Sequence, residues 1–216
     1  MWLVVFDVDG TLVDSQANIV ACMREAFLWN GLPPPEAAAV RRIVGLALPE
    51  AVRHLLGRDD PDLQARIVDH YRDAFRRRAG TPAFREPLFP RARETLRTLH
   101  EAGHLLGLAT GKSRAGVERF LRQHALEGLF TTVQTADRHP SKPHPAMVLA
   151  AMAETGMEAA RTVVVGDTVF DVRMAVAARA RAVGVAWGNH PPEELTRAGA
   201  THILDDFARL PELLVP

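Results

Sequence analysis

The sequence predicts an α/β protein: a doubly wound parallel sheet, a Rossmann-like core, interrupted near its start by an all-helical insert. Three observations carry this prediction. Short, continuous, β-rich apolar runs recur along the chain, beginning with Leu3-Val4-Val5-Phe6. From about residue 87 onward, amphipathic helical stretches separate those runs, which is the rhythm of βαβ units. Between residues 15 and 80 the rhythm stops, and helical patterns stand where strands would be expected.

The predicted strands cover residues 3–6, 105–109, 131–135, 162–165, 182–186 and 201–204, the last being the weakest. Runs that are apolar throughout suit strands buried on both faces, as in a parallel sheet covered by helices. The intervening helices are predicted over 91–102, 113–124, 145–155, 170–178 and 192–198. In the insert, Ile19, Cys22, Met23, Ala26 and Phe27 share one helical face. Val52, Leu55 and Leu56 form a second face, and Ile67, Val68, Tyr71 and Phe75 a third. Pro33-Pro34-Pro35 and Asp59-Asp60-Pro61 punctuate the segment, and a linker with Pro82, Pro87 and Pro90 leads back to the sheet. The predicted division is a core of residues 1–14 and 81–216 with a helical insert of 15–80.

Composition narrows the function. The chain has 216 residues, 47% apolar and 24% charged, enough for a real core. Lys+Arg and Asp+Glu balance at 26 each, so nothing favours nucleic acid or an anionic membrane as a partner. Cys22 is the sole cysteine, which excludes an intramolecular disulfide and suits a reducing compartment. No secretory signal or membrane span is legible, and the expected location is cytoplasmic. Arg76-Arg77-Arg78 reads as a helix end, where cations suit the dipole.

Four segments carry chemistry. The first strand runs into Asp7-Val8-Asp9-Gly10-Thr11. Side chains two apart on an extended chain point the same way, so Asp7 and Asp9 aim at one site past the strand's carboxyl end, where open α/β sheets bind ligands. Two acids placed together call for compensation, and a hard divalent cation such as magnesium supplies it. A turn at Asp9-Gly10 with Asp7 as a cap would account for one acid and not both. The second strand ends in Thr110-Gly111-Lys112-Ser113, where a hydroxyl, a bare amide and a helix start could receive a phosphate. Ser113 could equally be a simple N-cap and Lys112 a solvated charge. In Ser141-Lys142-Pro143-His144-Pro145, Pro143 keeps Lys142 extended at a helix start, a position that disfavours a cation unless an anion is near. A solvated lysine is the alternative, and His144 reads as structural. The fourth strand runs into Gly166-Asp167-Thr168-Val169-Phe170-Asp171. A capping box of Thr168 and Asp171 explains Asp171 but leaves Asp167 unexplained.

The four segments, in this order and over essentially the whole chain, resemble the haloacid-dehalogenase-like hydrolase superfamily, and its phosphoglycolate-phosphatase-like branch most of all. The helical insert is similar to that family's cap. Arg91 after Pro90 departs from the pattern, since relatives often carry glycine there. The resemblance implies that Asp7 is a nucleophile forming an aspartyl-phosphate, and that Asp9 is the general acid and then the base. It implies magnesium held by the Asp7 side chain, the Asp9 backbone carbonyl and Asp167. Thr110, the Gly111 amide and Lys142 would hold phosphoryl oxygens, and Asp171 would orient Lys142 or the metal's waters.

The expected function is therefore a magnesium-dependent phosphatase acting on a small phosphomonoester, phosphoglycolate-like in chemistry. A sugar-phosphate mutase or other phosphotransferase of the same fold is the alternative. A dehalogenase is disfavoured because it needs no acid for an alcohol leaving group, and a catalytically silent domain would be expected to lose Asp7 or Asp9. Within the insert, Arg41-Arg42-Ile43-Val44-Gly45-Leu46 is the expected selecting loop, with Arg41 and Arg42 meeting a substrate carboxylate. Two surface arginines on a short helix are the alternative.

Overall fold

The computed structural model describes residues 1–81 and 84–214; Pro82 of the expected linker lies outside the described residues. Six parallel strands form one sheet: β1 (Leu3–Phe6), β2 (Leu105–Thr110), β3 (Thr132–Thr135), β4 (Thr162–Gly166), β5 (Arg181–Val185) and β6 (His202–Leu204). Their order is β3-β2-β1-β4-β5-β6. The chain winds outward from β1 on one side through β2 and β3, then returns to β4 on the other. That reversal beside β1 opens a crevice at the carboxyl ends of β1, β2 and β4. Register sets the three strand ends side by side: Phe6 pairs with Leu108 of β2 and with Val165 of β4.

The predicted elements are all present, with bounds that shift by a residue or two. Helices α5 (Ala92–Glu101), α6 (Arg114–Gln123), α7 (Ala146–Thr155), α8 (Val169–Ala177) and α9 (Pro192–Ala198) flank the sheet. Alternation along β1 divides the core: Val4 and Phe6 join one apolar cluster with Leu96, Leu99 and Phe120, while Leu3 and Val5 join another with Met147, Val148 and Val172. Every residue of β1 is fully buried. Burial of such side chains is worth about 1.5–3 kcal/mol each.

Between β1 and α5 lie α1 (Gln16–Trp29), α2 (Ala37–Arg42), α3 (Leu48–Leu56) and α4 (Pro61–Ala79). They gather their own apolar cluster around Ile19, Met23, Phe27, Val52 and Ile67, against which Phe170 of the core also packs. Local signals explain their limits. Asp60 accepts from the Leu63 amide at 3.1 Å with Pro61 opening α4, and Gly57 closes α3 in the left-handed region at φ 62°. The basic run at the end of α4 ties it to α1: Arg77 and Arg78 both reach Glu25, at 2.5 and 3.2 Å. The short helix raised as the alternative for Arg41 and Arg42 is present as α2. It is built on Ala37-Ala38-Ala39, which has helix propensity without an apolar stripe.

Arg91, the departure from the glycine common among relatives, adopts φ 62° at the N-cap of α5. A side chain there costs about 1–2 kcal/mol. Its ion pair to Asp206, at 3.6 Å between exposed groups, returns little. Arg91→Gly relieves the strain and loosens the unfolded chain by a smaller amount. The expected result is a gain of about 0.5–1 kcal/mol, or about 1–4 °C in Tm for a chain of this size, measured by thermal unfolding.

Candidate active site

The site is assembled from strand ends. Asp7 follows β1, and its amide still donates to the Val165 carbonyl at 2.9 Å, so its position is set by the sheet. The chain then turns at Gly10, whose φ is +90°. A Cβ at Gly10 would fall 2.3 Å from Asp167 Oδ2, so both the turn and the close approach exclude a side chain there. Thr110 ends β2, Asp167 follows β4, and Asp171 lies in the first turn of α8. Lys142 comes from the loop before α7, whose start is held by the Ala146 amide donating to His144 Nδ1 at 3.2 Å. That contact gives His144 the structural role expected of it.

Asp7, Asp167, Asp171 and Lys142 meet in the interior. Lys142 Nζ donates to Asp7 Oδ1 and to Asp171 Oδ1, both at 2.6 Å, and its side chain is fully buried. Burial alone would lower the lysine's pKa, but the carboxylates of Asp171 and Asp7 outweigh it and hold the ammonium more firmly charged than an ordinary lysine. Asp171 also serves the capping box, because it has two oxygens. Its Oδ2 accepts from the Thr168 hydroxyl at 2.7 Å and the Thr168 amide at 3.1 Å, while Oδ1 takes Lys142. Asp167 accepts from Thr11 Oγ1 at 3.0 Å and from the amide and side-chain nitrogens of Asn189 at 2.8 and 2.7 Å.

Charge is not balanced in this cluster. Oxygens of Asp7, Asp167 and Asp171 lie within 4.8 Å of one another, and a single ammonium faces them. Burial pushes Asp167 up to about 7, with the Asp171 charge adding to it. Asp7 is raised well above the usual carboxylate range by burial, against the pull of Lys142. Asp7 Oδ2 is buried with no hydrogen-bond partner. An orphaned carboxylate oxygen among hard oxygen donors is what an oxygen-seeking divalent cation requires, and the cluster can hold one.

Asp9 points elsewhere. Its Oδ1 accepts from Ser15 Oγ at 2.5 Å and Lys112 Nζ at 2.8 Å, so the side chain is turned to a crevice of about 460 Å³ between the insert and the core. Lys112 is not a solvated charge. Burial would lower its pKa, but Asp9 and Glu86 raise it on balance. Thr110 is fully buried, and its Oγ1 accepts from the Lys112 amide at 3.2 Å. Gly111 lies under the insert: a Cβ there would meet the Leu46 and Gly45 carbonyls at 2.5 and 2.8 Å. The Ala47 amide donates to Ser141 Oγ at 2.9 Å, which ties the same loop to the segment bearing Lys142.

The structure does not bring Arg41 and Arg42 to this crevice. Arg42 pairs with Glu194 of α9 at 2.8 Å, and Arg41 lines a separate open groove beside α1. The expected selecting loop does line the crevice, but through Ile43, Val44, Gly45 and Leu46. Sequence reasoning gave no role to Ser15, Thr11 or Asn189 and left Lys112 open as a solvated charge. For Lys112 the signal was its place beside Thr110 and Gly111; for Asn189 none was legible.

A crossover parallel sheet with acids past two neighbouring strand ends, a third acid at the start of the next helix and a lysine among them defines a class of α/β hydrolase. The model of the haloacid dehalogenase-like hydrolase family matches residues 4–185, and the chain belongs to that family. It is therefore an enzyme, a hydrolase by class. It is 36% identical over 211 residues to the probable phosphatase IndB of Dickeya dadantii, covering 96% of this chain and 91% of that one. It is 31% identical over 211 residues to a phosphoglycolate phosphatase of Pseudomonas fluorescens, covering 96% and 78%. Among solved structures, a hydrolase from Pseudomonas syringae superposes with a TM-score of 0.86 at 26% identity, over 99% of this chain and 98% of that one.

Lys142 is expected to hold the cluster together. Lys142→Met keeps much of the stem and removes the ammonium, leaving three buried carboxylates without a counter-charge. The expected loss is about 3–5 kcal/mol, read from urea unfolding in the presence of a chelator. A loss under 1 kcal/mol would mean that the acids are neutralised without it.

Proposed function

We propose that this hydrolase is a magnesium-dependent phosphatase that removes phosphate from small phosphorylated metabolites through an aspartyl-phosphate on Asp7. The observation that carries the reading is the Asp7 carboxylate, held by Lys142 through Oδ1 and left without a partner at Oδ2. The names of the relatives, a probable phosphatase and a phosphoglycolate phosphatase, support it, and a phosphoglycolate-like substrate is the starting candidate.

In this proposal Asp7 and Asp167 hold magnesium through their side chains and Asp9 through its backbone carbonyl. When bound, the ion supplies positive charge beside the phosphoryl oxygens. Thr110, the Gly111 amide and Lys142 grip those oxygens. An Asp7 oxygen forms a bond to phosphorus as the ester P–O bond breaks. Asp9, whose Oδ1 is occupied by Ser15 and Lys112, gives a proton from Oδ2 to the leaving oxygen. Asp9 then takes a proton from water as that water attacks phosphorus and the bond to Asp7 breaks. Splitting the hydrolysis in two replaces one hard step by two easier ones. Asp171 keeps Lys142 in place.

Residues 15–80 act as a cap over a core of 1–14 and 81–216. The Gly45–Leu46 backbone against Gly111 is the contact by which the cap would shut water out. A cytoplasmic location accords with the one buried cysteine, Cys22. A sugar-phosphate mutase would keep the same acids, and release of inorganic phosphate separates it from the phosphatase.

The test is phosphate release from a panel of phosphomonoesters with magnesium. Activity should vanish in chelator and return with magnesium, and Asp7→Asn should abolish turnover in a protein that still unfolds cooperatively. Comparable release by that variant would sink the mechanism.

Asp9→Asn should lower kcat by about 10²–10⁴ on an alkyl phosphate. The loss should be smaller on an aryl phosphate, whose leaving group needs little protonation. Equal losses on both would speak against Asp9 as the acid of the first step.

A further inference from the structure

The crevice above Asp9 holds a cation that the proposed chemistry does not use. Arg119 of α6 lines it, with its guanidinium carbon 4.7 Å from the centre of the Phe75 ring on α4. Lys112 approaches the same ring at 5.7 Å. Arg119 Nε is buried without a hydrogen-bond partner. The other cations of the crevice are engaged: Lys112 by Asp9, Arg72 by Asp69 at 3.2 Å, and Arg76 by Asp73. Among the described residues Arg119 has neither an ion pair nor a hydrogen bond. Glu86 is close enough to influence Lys112 and Arg119, but it makes no ion pair with either. Burial raises Glu86 above the usual carboxylate range, and its Oε1 is itself without a partner.

An arginine stacked on an aromatic face presents its edge, and the edge is the part that binds planar or tetrahedral anions in pairs of hydrogen bonds. A buried guanidinium nitrogen without a partner, here Nε, is costly unless a ligand completes it. Lys112, Phe75 and Arg119 form a continuous series leading away from Asp9. Met23, Ile43 and Leu46 add apolar lining to the same crevice. The crevice is also larger than a two-carbon acid would fill.

We propose that Arg119 is the residue that selects the leaving group, and that the substrate carries a second anion, a carboxylate or a phosphate, on a body lying against Phe75. This rests on the phosphatase reading and replaces Arg41 and Arg42 as selectors. Recognition then comes from the core helix α6 together with α4 of the insert. The arginine's site is complete only when the insert is seated.

Three matched pairs test it, each an ester with a second anion beside its counterpart without one. They are phosphoglycolate with ethyl phosphate, 6-phosphogluconate with glucose 6-phosphate, and fructose 1,6-bisphosphate with fructose 6-phosphate. The first two pairs vary a carboxylate at two lengths, and the third varies a phosphate. The quantity read is the ratio of kcat/KM within each pair, with magnesium present. The native enzyme should favour the anionic member of at least one pair, and Arg119→Ala should reduce that ratio by about 10–150-fold. Arg119→Lys should lose less, since it keeps the charge but not the fork. Arg119→Met keeps most of the stem and carries the test if the alanine variant does not fold. No anionic preference in the native enzyme, or a ratio that survives the loss of the charge, overturns the proposal while leaving the phosphatase reading intact. Failure of the native enzyme to release phosphate from any ester, p-nitrophenyl phosphate included, overturns both.

Discussion

Lys142 stands with its ammonium between two buried carboxylates, 2.6 Å from each, and much of the molecule is arranged to keep it there. Removing a lysine from water is expensive, and so is removing each acid. The three groups are tolerable only together. The sheet holds Asp7 rigidly through its amide, the capping box holds Asp171, and the loop ahead of α7 delivers the lysine. None of these supports is a long flexible side chain reaching across solvent. With positions set by backbone, a carboxylate oxygen can be left unpartnered at a chosen point, and Asp7 Oδ2 is that point.

The second constraint is contact between backbones. Gly111 has no side chain, and the carbonyls of Gly45 and Leu46 occupy the space a Cβ would need. The loop of the insert therefore rests on the chain between Thr110 and Lys112. That same stretch orients Lys112 toward Asp9. Seating the insert and placing the Asp9 carboxylate are coupled through three consecutive residues. The Ala47 amide on Ser141 repeats the coupling on the side of Lys142.

What the sequence made legible were features with a local or periodic cause. Apolar runs mark strands because both faces are covered, and β1 is buried throughout. Asp7 and Asp9 were visible as a pair because of their spacing at a strand end. Their divergence was not: Asp7 joins Lys142 in the interior, while Asp9 turns to Ser15 and Lys112 at the crevice. Asp171 posed a choice between cap and charge partner that the structure dissolves, since each oxygen takes one role. Lys112 was ambiguous because its burial depends on Phe75, brought from a helix of the insert. Arg41 and Arg42 misled for a related reason. Basic residues beside a turning loop invite an anion, but the direction of α2 sends Arg42 to Glu194, a partner 152 residues away. Such partnerships follow from docking of the insert on the core, which no periodicity encodes.

The charges of the molecule fall into two layers, and the layering bears on how one fold can serve different substrates. The lower layer is Asp7, Asp167, Asp171 and Lys142, closed and mutually dependent. Loss of Lys142 would leave three buried acids without a counter-charge, so this layer has little freedom at that position. The upper layer is Lys112, Arg119 and the apolar wall, which meet the crevice, with Glu86 near both cations, and it is joined to the lower layer through Asp9. Substitution of Arg119 there alters the shape and charge offered to a leaving group and breaks no ion pair, whereas Lys112 is needed to hold Asp9. Asp9 is the link, with its backbone at the mouth of β1 and its side chain in the upper layer. In the proposed mechanism a proton passed at that link is the event both layers share, which puts the reacting oxygen where they meet. A body held along Phe75 extends from that point, and the proposed role of Arg119 is to fix its far end.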